Sequence, residues 1–223
     1  LDDGAARDIE SGAVGRTFDA KLVGKFFRKR YDWDILAARS LWALGPNEIG
    51  PNALLDDTLP GDVDKTLMGT IRHSVVQGFK WGCREGPLCD EPMHNVKFRI
   101  LNCDLADDAI HRGGGQIIPA ARRAAYASFL AATPRLMEPI NYVEVQTPAD
   151  TIKAAVAVIE RRRGRVFKQD PVPGTPLFSL SGYVPAIDSF GFETDLRSAT
   201  GSRGFVVSVF DHFAIVAGDP TDE

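Results

Sequence analysis

Beyond two closely spaced prolines, Pro134 and Pro139, the apolar pattern of this sequence changes period in an order that few folds accommodate. Residues 140–146 alternate as a strand, and 149–163 carry Ile152, Val156 and Ile159 at helical spacing. Residues 165–169 and 177–184 read as two further strands, 190–199 as a second helix, and 205–210 as a last strand with Phe205, Val207 and Val209 alternating. That order is β-α-β-β-α-β, the split ferredoxin-like arrangement. The segment from Pro134 to Pro139 reads as a joint between two domains, because two prolines bracket a short stretch between complete elements. The division expected is residues 1–136 and 137–223.

The first part is also α/β in pattern, but less diagnostic. Residues 1–15 are acidic and rich in small side chains, which suggests weak helicity and partial order. Asp19 is placed to cap a helix over 20–30, with Leu22, Phe26 and Phe27 as its apolar set. A second helix is expected over 34–44, burying Ile35, Leu36, Ala38, Leu41 and Trp42. The Gly-Pro-rich run 45–52 interrupts regular structure, and Ala53 to Leu55 suit a brief strand. A longer helix from Gly61 carries Val63, Leu67, Ile71, Val75 and Phe79 as a core stripe and ends near Trp81 and Gly82. Val96, Phe98 and Ile100 alternate as a strand, and 117–132 is an alanine-dense helix to which a neighbour can pack closely.

Composition excludes several classes. At 223 residues and 44% hydrophobic, the chain is ordinary globular material, and its net charge of −4 confines any nucleic-acid contact to a local patch. No apolar run approaches membrane-span length, and no membrane partner is expected. Cys83, Cys89 and Cys103 are sparse and odd in number, which fits a reducing compartment. With His94 they match none of the tight spacings of a metal site, so no metal is expected. No G-x-x-x-x-G-K-[ST] loop occurs, so these residues alone are not expected to hydrolyse a nucleotide, and no cofactor or catalytic residue is assigned to them. Leu1 in place of Met is read as the mark of a piece of something longer.

The candidate site is the turn His111, Arg112, Gly113, Gly114, Gly115 and Gln116, between a strand and a helix. Three glycines give backbone freedom or close approach, and Pro119 suits a first helical turn whose N–H groups favour an anion. By itself such a turn is more often slack before a helix than a contact. Arg161, Arg162, Arg163 and Arg165 form a second candidate, for RNA or a partner. Helix capping, with Gly164 in the left-handed conformation, is the commoner use of such a run, and the basic run Phe26 to Arg30 is weighed in the same way. Asp107 and Asp108 read as a solvated acidic turn, and neither His73 nor His212 suggests catalysis.

Several motifs carry a resemblance in register. His111-Arg112-Gly113-Gly114-Gly115-Gln116-Ile117-Ile118-Pro119, Pro134-Arg135-Leu136-Met137-Glu138-Pro139, Arg162-Arg163-Gly164, Pro173-Gly174-Thr175-Pro176 and Ser189-Phe190-Gly191-Phe192 resemble the C-terminal part of translational GTPases of the elongation factor 2 type. The likeness runs from about Tyr31 to Pro220. Of two branches, the spliceosomal one, belonging to the U5 small nuclear ribonucleoprotein, is the more similar. It is carried by Tyr31-Asp32-Trp33-Asp34, Asp56-Asp57-Thr58-Leu59-Pro60, Arg84-Glu85-Gly86-Pro87-Leu88-Cys89-Asp90-Glu91 and the run Pro185 to Arg197. The ribosomal translocase branch would read Asn-Glu-Ser-Phe-Gly-Phe-Thr in that last place. Asp108-Ala109-Ile110 departs toward the translocase wording.

The resemblance implies a ribosomal protein S5-like domain (family domain IV) followed by the ferredoxin-like one (domain V). It implies a nuclear, GTP-binding parent whose GTP and Mg sit on a separate GTPase domain. The expected role is a protein- and RNA-binding module that couples conformational change to pre-mRNA splicing. Its expected partners are a scaffold protein and a helicase of the U5 particle, with U5 RNA as a further candidate. In the translocase branch the histidine at the place of His111 becomes diphthamide; in the spliceosomal branch His111 is expected to stay unmodified.

Overall fold

A computed structural model describes residues 1–15 and 17–219. It divides into two compact units, Leu1–Pro134 and Arg135–Glu223.

The first unit is built on a three-stranded sheet of order β1-β2-β3, from β1 (Leu41–Gly45), β2 (Asn52–Asp56) and β3 (Lys97–Ile100). β1 runs antiparallel to β2, and β3 parallel to it. The parallel pair requires a crossover, and α4 (Lys65–Arg84) supplies it. Asp64 caps α4 by accepting from the N–H of Thr66 at 2.7 Å. The helix therefore begins four residues later than Gly61, and runs two past Gly82. Asn52 is fully buried and satisfied: its Nδ2 donates to the carbonyl oxygens of Met93 (2.7 Å) and Gly45 (3.3 Å), and its Oδ1 accepts from the N–H of Val96. That one amide joins the end of β1 to the entry of β3.

Three expectations change here. Residues 1–15 are not loosely ordered: α1 (Asp3–Glu10) sets Ala5 and Ile9 fully inside the core with Val23, Phe27, Leu41 and Leu55. The acidic surface of α1 hid a short apolar set of Ala5, Ala6 and Ile9. The helix expected over 34–44 splits into α3 (Ile35–Arg39) and β1, and Ile35 and Leu36 are exposed. A short continuous apolar run such as Leu41 to Leu44 fits a buried strand as well as a helix, and only its partner β2 decides. In α2 (Ala20–Tyr31), capped by Asp19, the inward residues are Val23, Gly24 and Phe27, whereas Leu22 faces solvent.

α5 (Gly114–Ala131) packs on α4, and the approach is as close as the alanines imply. A Cβ on Gly78 of α4 would stand 2.5 Å from the Ile118 carbonyl oxygen and 2.8 Å from the Ala121 Cβ. Only glycine fits there.

The second unit holds β4 (Met137–Pro148), α6 (Ile152–Arg161), β5 (Arg165–Pro171), β6 (Leu177–Pro185), α7 (Phe192–Thr200) and β7 (Phe205–Ile215). The sheet order is β5-β6-β4-β7 and every neighbouring pair is antiparallel, which is the ferredoxin-like topology. α6 and α7 cover one face, burying Val143, Val145, Leu180 and Val184 with Ala155, Ile159 and Leu196. β7 forms where the alternation places a strand. Val206 pairs with core-facing Val145, so Phe205, Val207 and Val209 lie on the opposite face, 49–59% exposed. The face of β7 turned to the helices is the one that carries Val206.

Candidate nucleic-acid and protein interface

The glycine turn is more ordered than slack would be. Ala109–Arg112 form a 3-10 turn, in which the His111 N–H donates to the Asp108 carbonyl at 3.1 Å. Gly113 is the N-cap of α5 in extended backbone (φ −64°, ψ 151°), and its carbonyl accepts from the N–H of Gln116 and Ile117. None of Gly113, Gly114 and Gly115 has a positive φ. Nor would a Cβ on any of them meet an atom closer than 3.5 Å. Neither backbone conformation nor packing within the described residues demands three glycines. Because α5 starts at Gly114, Pro119 lies in its second turn instead of its first.

The six candidate residues separate. His111, Gly113, Gly115 and Gln116 are exposed, and His111 Nδ1 stands 3.7 Å from the Asp108 carboxylate. Arg112 and Gly114 are half-buried. The N–H groups of Thr66 and Leu67 hold the Asp64 carboxyl below its usual range, with the Arg112 charge as the smallest contribution. Its Nη1 is buried with no hydrogen-bond partner among the described residues. Sequence reasoning missed Ile110, which is 84% exposed beside His111. Its signal was there, since the large aliphatic falls among Asp107, Asp108 and His111 where nothing local can cover it.

The arginine run also separates. Arg162 Nη1 donates to the carbonyl oxygens of Asp188 (2.5 Å) and Phe190 (2.7 Å), and Nη2 meets the Asp195 carboxylate at 2.5 Å. Arg163 forks onto Glu138 (3.1 and 2.9 Å) and donates from Nε to Asp188 at 2.7 Å. Those hydrogen bonds push the Arg163 guanidinium pKa up, so it is a fixed cation. Both side chains are thereby engaged in tying α6 to β4 and to the loop before α7. Arg161 and Arg165 are exposed and make no ion pair among the described residues. Arg163 itself takes the left-handed cap (φ 55°), where Gly164 had been expected to. Gly164 is there for space: a Cβ would come within 2.8 Å of Ile159 and Val184.

The remaining candidates stay apart. Cys83 is buried, which pushes its thiol pKa far up; Cys89 is exposed and Cys103 half-buried, and all three are free. His94 pairs with Glu10 at 3.5 Å. Among the described residues no three His, Cys, Asp or Glu side chains gather as a metal site. No described helix is long and apolar enough to cross a membrane.

Against known proteins, residues 16–133 match the family model described as elongation factor G, domain IV, and residues 135–223 match elongation factor G C-terminus. The chain belongs to the elongation factor G family. Within that family its similar relatives are specific. The chain is 58% identical over all 223 residues to the 110 kDa U5 small nuclear ribonucleoprotein component CLO of Arabidopsis thaliana. It is 57% identical to the 109 kDa component GFL of the same plant and 51% identical to the pre-mRNA-splicing factor cwf10 of Schizosaccharomyces pombe. In each case it spans 23% of the relative's length. The elongation factor type of resemblance carried by the glycine turn is therefore shown, and so is its spliceosomal branch.

Proposed function

We propose that this two-unit module is the C-terminal binding and conformational-coupling part of an elongation-factor-2-like protein of the U5 particle, acting in spliceosome activation and remodelling in the nucleus. The observation that carries the reading is 58% identity, without interruption in coverage, to a U5 ribonucleoprotein component. In this reading the exposed Ile110, His111, Gly115 and Gln116 are the contact tip, with Arg161 and Arg165 as a separate contact. Arg112, Arg162 and Arg163 position those surfaces. GTP and Mg belong to a GTPase domain of the parent protein, and these residues contribute binding without catalysis. A scaffold protein and a helicase of the U5 particle are its partners, with U5 RNA as a further one.

Affinity purification of the full-length protein from nuclear extract, followed by sequencing of the recovered RNA, tests the assignment. Enrichment of U5 small nuclear RNA is the expected result. Enrichment of ribosomal RNA, together with diphthamide at His111 by mass spectrometry, would transfer the module to the ribosomal translocase branch.

A further inference from the structure

α2 and α3 enclose a groove of about 460 Å³ whose walls carry Lys21, Lys25, Arg28 and Arg39, and whose floor is Gly24 and Ile35. All four cations are exposed, none makes an ion pair among the described residues, and no carboxylate lines the groove. Arg28 and Arg39 sit in the last turns of their helices, where a cation suits the dipole, but Lys21 and Lys25 are not accounted for in this way. Lys21 lies in the first turn of α2, where a cation opposes the helix dipole. Lys21 and Lys25 are an i, i+4 pair of like charges, which repel one another along the helix. In a chain of net charge −4, four cations without an ion pair around one concavity make a local positive field that favours an anionic ligand.

The floor selects the class of that ligand. No aromatic side chain lines the groove, so bases of a single strand have nothing to stack on. Ile35, 41% exposed, supplies apolar surface that a phosphate backbone does not use. The close seating of α2 on α3, where a Cβ on Gly24 would collide with the Ala38 carbonyl oxygen, makes the groove a fixed shape. We infer that the α2–α3 groove binds an acidic amphipathic segment of a partner protein, with its carboxylates on Lys21, Lys25, Arg28 and Arg39 and its apolar face on Gly24 and Ile35. The inference rests on the groove alone, so its failure leaves the spliceosomal reading untouched.

Fluorescence anisotropy with a short labelled peptide of glutamate and leucine, acidic on one face and apolar on the other, tests it, with an RNA duplex as the competing probe. The chain binds the peptide saturably, and the affinity falls as salt rises from about 50 to about 300 mM. The double variant Lys25→Glu/Arg28→Glu weakens binding on the order of tenfold or more. Ile35→Ser, which leaves every charge in place, weakens it as well. Lys153→Glu, at an exposed position of α6, leaves it unchanged, and circular dichroism reports the same folded content in all variants. Absence of saturable peptide binding, equal affinity in the double variant, or tighter binding of the RNA duplex overturns the proposal.

Discussion

Asp56 ends β2, and its carboxylate accepts from the Thr58 hydroxyl at 2.5 Å and the Lys65 ammonium at 2.9 and 3.0 Å. Partial burial acts to raise its pKa, but the hydrogen bonds from Thr58 and Lys65 win and hold it below the ordinary carboxylate range. A depressed carboxyl pKa contributes stability that is complete above the unfolded value and is lost as pH falls through the folded one. Asp56→Asn therefore costs about 1–2 kcal/mol at neutral pH, a value discounted because Lys65 is part-exposed. Denaturant midpoints followed down to about pH 3 show the cost shrinking toward zero as the native carboxyl protonates. A difference that stays constant with pH contradicts this role. Residues with one local job of this kind, such as the caps Asp19 and Asp64, follow from type and spacing. The cap at Asp19 was legible for that reason. The inward use of Arg162 and Arg163 was not, because their partners lie across the chain, 25 to 33 residues away.

Among elements, α1 separates what composition suggests from what packing decides. Its buried Ile9 shares a cluster with Phe27 and Leu41, so Ile9→Ala opens a cavity and costs about 2–5 kcal/mol of unfolding free energy. Chemical denaturation measures this, and a loss below about 0.5 kcal/mol would mean that α1 is peripheral after all. Every helix and strand of the second unit was legible, because long amphipathic segments declare their period. The phase of β7 was not, since Phe205, Val207 and Val209 alternate as a buried set would, and only the pairing of Val206 with Val145 says otherwise. β1 was illegible for a related reason: its apolar run is too short to show a period. The α2–α3 groove lay beyond sequence reasoning altogether, because Arg39 joins Lys21, Lys25 and Arg28 only once two helices have packed.

At the scale of the molecule, the motifs that placed the chain in its family are mostly positions where geometry leaves little choice. Gly164 is needed for clearance, Arg162 and Arg163 are locked into a carboxylate network, and Gly191 takes a left-handed turn at φ 75°. The glycine turn differs, since no contact among the described residues requires its three glycines, and Ile110 beside it stays in solvent. That contrast supports the proposal that the turn is a contact surface. Full-length protein carrying Ile110→Asp and His111→Ala should fold and accumulate normally, because both side chains are exposed. Its direct test is pre-mRNA splicing in cells that depend on this variant. Accumulation of unspliced precursor with translation rates unchanged is the predicted result, and reduced translation with splicing intact would contradict the assignment of this tip to the spliceosome.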